Sequence, residues 1–283
     1  MNEINYSNMS LCDTTGRVFE RNGTIYRGIY DKDSDILEFL KTDLFKTLES
    51  KGFIPKTKIS DLKVAEFACV LEHETASCVN YPHEWSFEMH KDACLLLLNL
   101  EEICNAHNFM VKDAHLFNVV FFYGVPKFVD LGSFVKKTSE PNSFFIFYFK
   151  TRAYLPLLIW SEGNYGLAYS IIRESSARLT LYDLVEIYRG LLLIKNLGVK
   201  SVKKYLNARK NIFHSFDTQS IPVLKEIIQS LKLNNYHSTW VNYHQGLYNN
   251  GKLISTPRFD KIISIVNELN VTSISDVACN EGH

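Results

Sequence analysis

VKDAHLFNVVFFYGVPKFVDLGSF, residues 111 to 134, decides the fold of this chain. NVVFF and PKFVD are short apolar runs rich in β-branched and aromatic residues, joined by Tyr123-Gly124-Val125, and they predict a tight hairpin. Asn118 opens its first strand and Asp130 closes its second, at the same end, with Asp113 on the loop five positions before Asn118. Because a strand aims alternate side chains the same way, Asp113, Asn118 and Asp130 are placed to converge.

Such a trio suits phosphoryl transfer. A loop aspartate accepts a hydroxyl proton, while an asparagine and a second aspartate hold the Mg that neutralises the phosphates of ATP. On that reading Asp113 is the catalytic base and Asn118 and Asp130 are metal ligands. Asp113-x4-Asn118 followed by Asp130-Leu131-Gly132 resembles the catalytic loop and Asp-Phe-Gly element of protein kinases and aminoglycoside phosphotransferases. Lys112 stands where kinases carry arginine, and Val111 where their loop histidine would be. The alternative is structural: Asp113 and Asn118 stabilise a turn and Asp130 caps a loop.

The chain of 283 residues, 46% of them apolar, is long enough to bury a substantial core. Lys plus Arg and Asp plus Glu number 31 each, so no basic field argues for a nucleic-acid partner. Apolar runs are far shorter than a membrane span and the first residues are polar, which predicts a cytoplasmic protein without a membrane partner. The six cysteines form no CxxC pair and read as reduced core thiols without metal-ligand spacing.

Taken in order, residues 1 to 11 read as frayed or extended, and Gly16 to Tyr30 as a hairpin turning at Asn22-Gly23. In a kinase-like small lobe this hairpin would cover the nucleotide, with Arg27 as a phosphate contact. Only Gly16 precedes the strand, so a glycine-rich cradle is absent, and the alternative is an exposed Arg27 on a structural hairpin. A helix is predicted over 34 to 51, strands over 64 to 71 and 76 to 81, and a long buried helix over 86 to 107. Further helices are expected over 143 to 160 (broken near Pro156), 164 to 174, 179 to 194, 202 to 210, 221 to 231 and 258 to 269. The lysines and arginines between Lys200 and Lys210 read as a solvated helix face.

YPHEWSF at 81 to 87, KDA at both 91 to 93 and 112 to 114, the Asn118 strand and Val129-Asp130 together resemble a bacterial family of S-adenosylmethionine-dependent methyltransferases of the nodulation-protein type. The resemblance implies a kinase-like N-terminal region followed by a class I methyltransferase domain. Asp276 to Gly282, after an expected strand over 273 to 277, overlays the Asp-x-Gly-x-Gly-x-Gly turn of such a domain. It implies that Asp276, Ala278, Asn280 and Gly282 hold S-adenosylmethionine. Gly282 and Asn280 tolerate left-handed backbone, and Ala278 departs from the pattern.

The expected fold is therefore α+β: a two-lobe, protein-kinase-like and aminoglycoside-phosphotransferase-like domain with a mostly helical large lobe, followed by the first strand of a Rossmann-like methyltransferase domain. The expected division is a small lobe over 1 to 85, a helical large lobe over 86 to 237, and the start of a truncated methyltransferase domain over 238 to 283. The acidic residue expected to hold the ribose would lie past His283, so the chain alone is expected not to methylate. The strand over 273 to 277, unpaired, would expose apolar surface and drive association. The resemblance implies a small-molecule or saccharide substrate. Two other readings stand beside it: a Mg- and ATP-dependent phosphotransferase, and a non-catalytic pseudokinase scaffold.

Overall fold

A computed structural model describes residues 4–32, 34–137, 145, 148–173, 221–233, 248–249, 252–253, 256–269 and 271–273. The fold is mixed α+β, and the chain divides into two compact units, Met1–Leu233 and Asn234–His283.

The first unit begins with an antiparallel sheet ordered β1-β2-β3-β5-β4, made of β1 (Asn5–Tyr6), β2 (Gly16–Arg21), β3 (Thr24–Ile29), β4 (Thr57–Ile59) and β5 (Cys69–His73). The predicted hairpin is β2 and β3, with Arg21 opposite Thr24. Asn22 and Gly23 both take positive φ, 54° and 76°, the mirror-image turn whose twist matches that of paired strands. One face of this hairpin carries Phe19, Tyr26 and Gly28. Phe67 stacks on Phe19 at 6.0 Å and fills the space a Gly28 Cβ would need, 2.1 Å from that position. The other face sends Ile29 and Leu71 into the main core, and Arg27 lies between them in register with Leu71.

The expected single helix over 34 to 51 is two: α1 (Asp35–Phe39) and α2 (Asp43–Ser50). Thr42 causes the break. Its backbone is extended and its Oγ1 accepts from the Phe45 N–H at 3.1 Å, which caps α2. Ile36, Phe39, Leu44 and Leu48 still face inward, so the helical period read correctly while the stop did not. Residues 76 to 81 form no strand, and within the stretch expected over 64 to 71 pairing begins at Cys69.

The long buried helix is α3 (Phe87–Ala106), capped by Ser86, which accepts from the Met89 N–H. Ala93, Cys94, Leu97 and Leu100 are fully buried along it. Behind it come β6 (Phe109–Val111), β7 (Val119–Phe122), β8 (Val125–Phe128) and β9 (Phe134–Lys136), paired β7 with β8 and, outside them, β6 with β9. The β7–β8 turn is Tyr123-Gly124 alone, one residue tighter than expected, with Val125 already opposite Phe122. A π-helical turn, Phe149–Tyr154, leads into α4 (Leu155–Ser161). Pro156 removes the N–H that would continue the α spacing there, and the wider turn absorbs the loss. Helices α5 (Tyr165–Arg173) and α6 (Ile221–Ser230) complete the described part of this unit.

The second unit contains β10 (Tyr248–Asn249), paired with β11 (Lys252–Leu253), and α7 (Pro257–Leu269), where the final helix was expected. The helices expected over 179 to 194 and 202 to 210, the basic stretch from Lys200 to Lys210 and, past Ser273, the strand expected over 273 to 277 lie outside the described residues. No described helix is long and apolar enough to cross a membrane. Of the described cysteines, all free, Cys94 and Cys104 are buried, whereas Cys12 and Cys78 are exposed and so are not core thiols.

His90 sits at the start of α3 with no solvent exposure, edge-on to Trp85 and Trp160, and its Nε2 bonds the Ala153 carbonyl at 2.8 Å while Nδ1 has no partner. Burial pushes its pKa down to about 4, and burial together with the Arg27 charge does the same to His73. Both imidazoles are thus held neutral in the fold but free to protonate when unfolded. Their contribution is fully present above pH 6.5 and is lost as pH falls toward 4, by up to roughly 3 kcal/mol for fully buried His90. Thermal melts from pH 8 to 4 should show this loss, and His90→Gln, which keeps a donor for the Ala153 carbonyl, should lessen it and leave the His73 part.

Candidate functional site

Two backbone hydrogen bonds extend the nested ladders and set the site. The Lys112 N–H donates to the Ser133 carbonyl at 2.7 Å, beyond the Val111–Phe134 pair, and the Val129 N–H donates to the Asn118 carbonyl at 2.8 Å, beyond the Val119–Phe128 pair. The loops 112–118 and 129–133 therefore run side by side at one end of both ladders. Their sequence spacing and their pairing agree on this placement.

Each predicted side chain has a distinct role there. Asn118 closes a 3-10 turn, Leu116–Asn118, and its Nδ2 donates to the Asp113 carbonyl oxygen at 3.1 Å. That bond fixes the loop without using the Asp113 carboxylate, which is half-buried and accepts no hydrogen bond among the described residues. Asp130 accepts on both oxygens. It caps the 3-10 turn Leu131–Ser133, accepting from the Gly132 N–H at 3.1 Å and the Ser133 hydroxyl at 2.6 Å, and its Oδ1 lies 3.8 Å from Arg27 Nη1.

Arg27 is the residue whose setting departs most from expectation. It is 7% exposed rather than solvent-facing. Its Nη2 donates to the Asp13 carboxylate and, at 3.1 Å, to the Thr15 hydroxyl, while Nε has no partner. Asp13 in turn accepts from the Thr15 N–H at 2.9 Å and the Thr15 hydroxyl at 2.7 Å. Sequence reasoning missed Asp13 and Thr15. Their available signal was Asp13-Thr-Thr-Gly16, an aspartate two residues before a donor at a strand entrance, which is an Asx-turn pattern. Glu38 of α1 pairs with Lys136 at 3.5 Å.

On the opposite flank of the Asp113 loop, His115 accepts from the Phe117 N–H through Nδ1. Burial lowers its pKa, the Asp113 charge partly opposes this, and Arg152 reinforces it. His115 and Phe117 line a small cleft with Pro82, Arg152 and Ile171. Among the described residues no group of three or more His, Cys, Asp or Glu side chains comes together to hold a metal. Asn118 and Asp130 could supply two oxygens, but Arg27 Nη1 lies 3.8 Å from Asp130 Oδ1, and a cation held by that oxygen would have the guanidinium as a neighbour. Asp276, Ala278, Asn280 and Gly282 lie outside the described residues.

No family model matches the chain. Over 127 residues it is 28% identical to the nodulation protein NoeA of Rhizobium meliloti (strain 1021), a match covering 43% of this chain and 26% of that protein. The match thus spans about a quarter of the curated relative's length. Among solved structures, that of vaccinia related kinase 3 aligns with a TM-score of 0.35 at 12% identity, over 47% of each chain.

The unequal commitments of the two aspartates can be measured. Asp130→Ala removes the two hydrogen bonds of one cap and a neighbour of a buried cation and should cost about 1–3 kcal/mol. Asp113→Ala, which breaks no described hydrogen bond, should stay within about 0.5 kcal/mol. Urea midpoints of the two variants check this, and equal losses would mean that the Asp113 carboxylate is also structural.

Proposed function

We propose that this chain is the kinase-like part of an S-adenosylmethionine-dependent methyltransferase of the nodulation-protein type, and that its kinase-like unit works without nucleotide, as a platform. Its fold supports the first half. A five-stranded sheet with helices between its third and fourth strands, then a long helix, a loop aspartate, two nested strand pairs and an Asp-Leu-Gly element follow one another as in a kinase. In that frame the loop 7–15 between β1 and β2, rather than the Asn22-Gly23 turn, takes the nucleotide-covering place. Arg27 takes the place of the lysine that pairs with phosphates. The partial identity to NoeA supports the second element of the name, and the methyl donor would be held at Asp276, Ala278, Asn280 and Gly282.

The single observation carrying the nucleotide-free reading is the pairing of Arg27. Its guanidinium pairs with Asp13 and lies 3.8 Å from Asp130, so the phosphate-pairing cation is committed as folded and a metal at Asp130 would meet a cation beside it. Fold alone does not fix function, and here the site argues against catalysis.

One observation favours a second reading, a Mg- and ATP-dependent phosphotransferase acting on a small molecule or saccharide. The Asp113 carboxylate is uncommitted, and Asn118 positions its backbone, as a general base requires.

Calorimetry separates the two: titrating ATP with magnesium into the chain should give no binding heat. Binding that disappears in Asp130→Ala would move the assignment to the phosphotransferase. The methyltransferase part has its own test. Photocrosslinking of labelled S-adenosylmethionine should fall about tenfold in Asp276→Ala, and labelling indifferent to that substitution would remove the methyl donor from this segment.

A further inference from the structure

The Asp13 carboxylate is surrounded by donors: the Thr15 N–H and the Thr15 hydroxyl on Oδ1, and Arg27 Nη2 on Oδ2. Three donors converging on one carboxylate, one of them a buried guanidinium, make an anion site whose occupant is a side chain of the same chain. An arginine cannot deprotonate to escape burial, so the guanidinium needs an acceptor at this place whatever its source. Asp130 does not serve as that acceptor: it lies 3.8 Å from Nη1, beyond hydrogen-bond reach, and its oxygens already accept from Gly132 and Ser133. Arg27 Nε is buried and unpartnered, a further donor on the same group. Access is through Asp13 itself, whose side chain keeps 26% exposure against 9% for Arg27.

We propose that Asp13 is a built-in substitute for a phosphate: its carboxylate plugs a latent phosphate site formed by Arg27 and Thr15, and the loop 7–15 opens before a phosphate ester enters. The inference rests on the kinase-like reading for the identity of the anion, a phosphoryl oxygen group. The donors themselves come from the geometry. Asp13 competes with a phosphate for the same hydrogen atoms, so the wild-type chain is refractory and the site is exposed by removing one carboxylate.

The test uses the full chain and inorganic phosphate as the probe, read by thermal shift against sodium chloride of matched ionic strength. Asp13→Ala should melt lower than wild type and be raised by phosphate, with an apparent affinity about tenfold or more tighter than that of wild type. The double variant Asp13→Ala, Arg27→Met should lose that response. If Asp13→Ala does not fold, Asp13→Asn retains the shape without the charge. Folding of either variant only when phosphate or acetate is added supports the plug, and failure to fold with or without these anions overturns it. A folded Asp13→Ala that responds to phosphate no more than wild type also overturns it. Tight ATP binding to wild type through Arg27 would sink both the plug and the nucleotide-free reading. A failed rescue with wild type still indifferent to ATP sinks the plug alone.

Discussion

The first unit depends on how one buried cation is satisfied. Arg27 projects from the central strand β3 into a region whose other occupants, Ile29 and Leu71, are apolar and fully buried. Taking a guanidinium out of water costs several kcal/mol unless acceptors replace the lost hydration. Here they come from residue 13, before β2, with residue 130, after β8, close by, so three segments distant in sequence meet at one charge. The apolar core supplies most of the free energy of folding, while the ion pair with Asp13 ties the end of the 7–15 loop to β3. A hydrophobic residue in place of Arg27 would fill the volume but leave that loop and the Asp130 turn without a common anchor.

How much of this could be read from the chain follows the range of each interaction. The Asn22-Gly23 hairpin, α3 and the pairing of β7 with β8 depend on turn chemistry and periodicity within one segment, and were legible. The break at Thr42 was hidden because α1 and α2 keep one continuous apolar period, and only the cap distinguishes two helices from one. β4 was hidden for the opposite reason: Thr57–Ile59 is short and mostly exposed at the sheet edge, so it carries no alternation to detect. In the segment before β5, Phe67 is withdrawn from strand pairing because its ring serves as the missing side chain of Gly28. No local pattern encodes that use of a phenylalanine.

The candidate site divides along the same line. Asp113, Asn118 and Asp130 lie within one supersecondary unit, and their spacing was enough to bring their loops together. The partners that determine what the unit can do, Asp13 and Thr15, come from about 100 residues earlier in the sequence. Sequence spacing read Arg27 as either a phosphate contact or an exposed side chain, and the burial of its guanidinium against Asp13 overturns the second of these. A positive charge that looks free along the chain was already neutralised by a tertiary contact.

That neutralisation links the two predicted chemistries into one equilibrium. For Asn118 and Asp130 to hold a divalent cation, the cation would sit near Arg27. At about 4 Å, repulsion in a partly buried setting is roughly 4 kcal/mol for each unit of charge. Bound phosphates would offset this repulsion, because they bring negative charge to both the metal and the guanidinium. On the proposed reading, however, phosphates need the position that the Asp13 carboxylate holds. Metal without phosphate is therefore opposed by Arg27, and phosphate without movement of the 7–15 loop is opposed by Asp13. Each ligand would ease the entry of the other, and on the proposed reading the state of one short loop, rather than the identity of the three loop residues, separates a phosphotransferase from a platform on this fold.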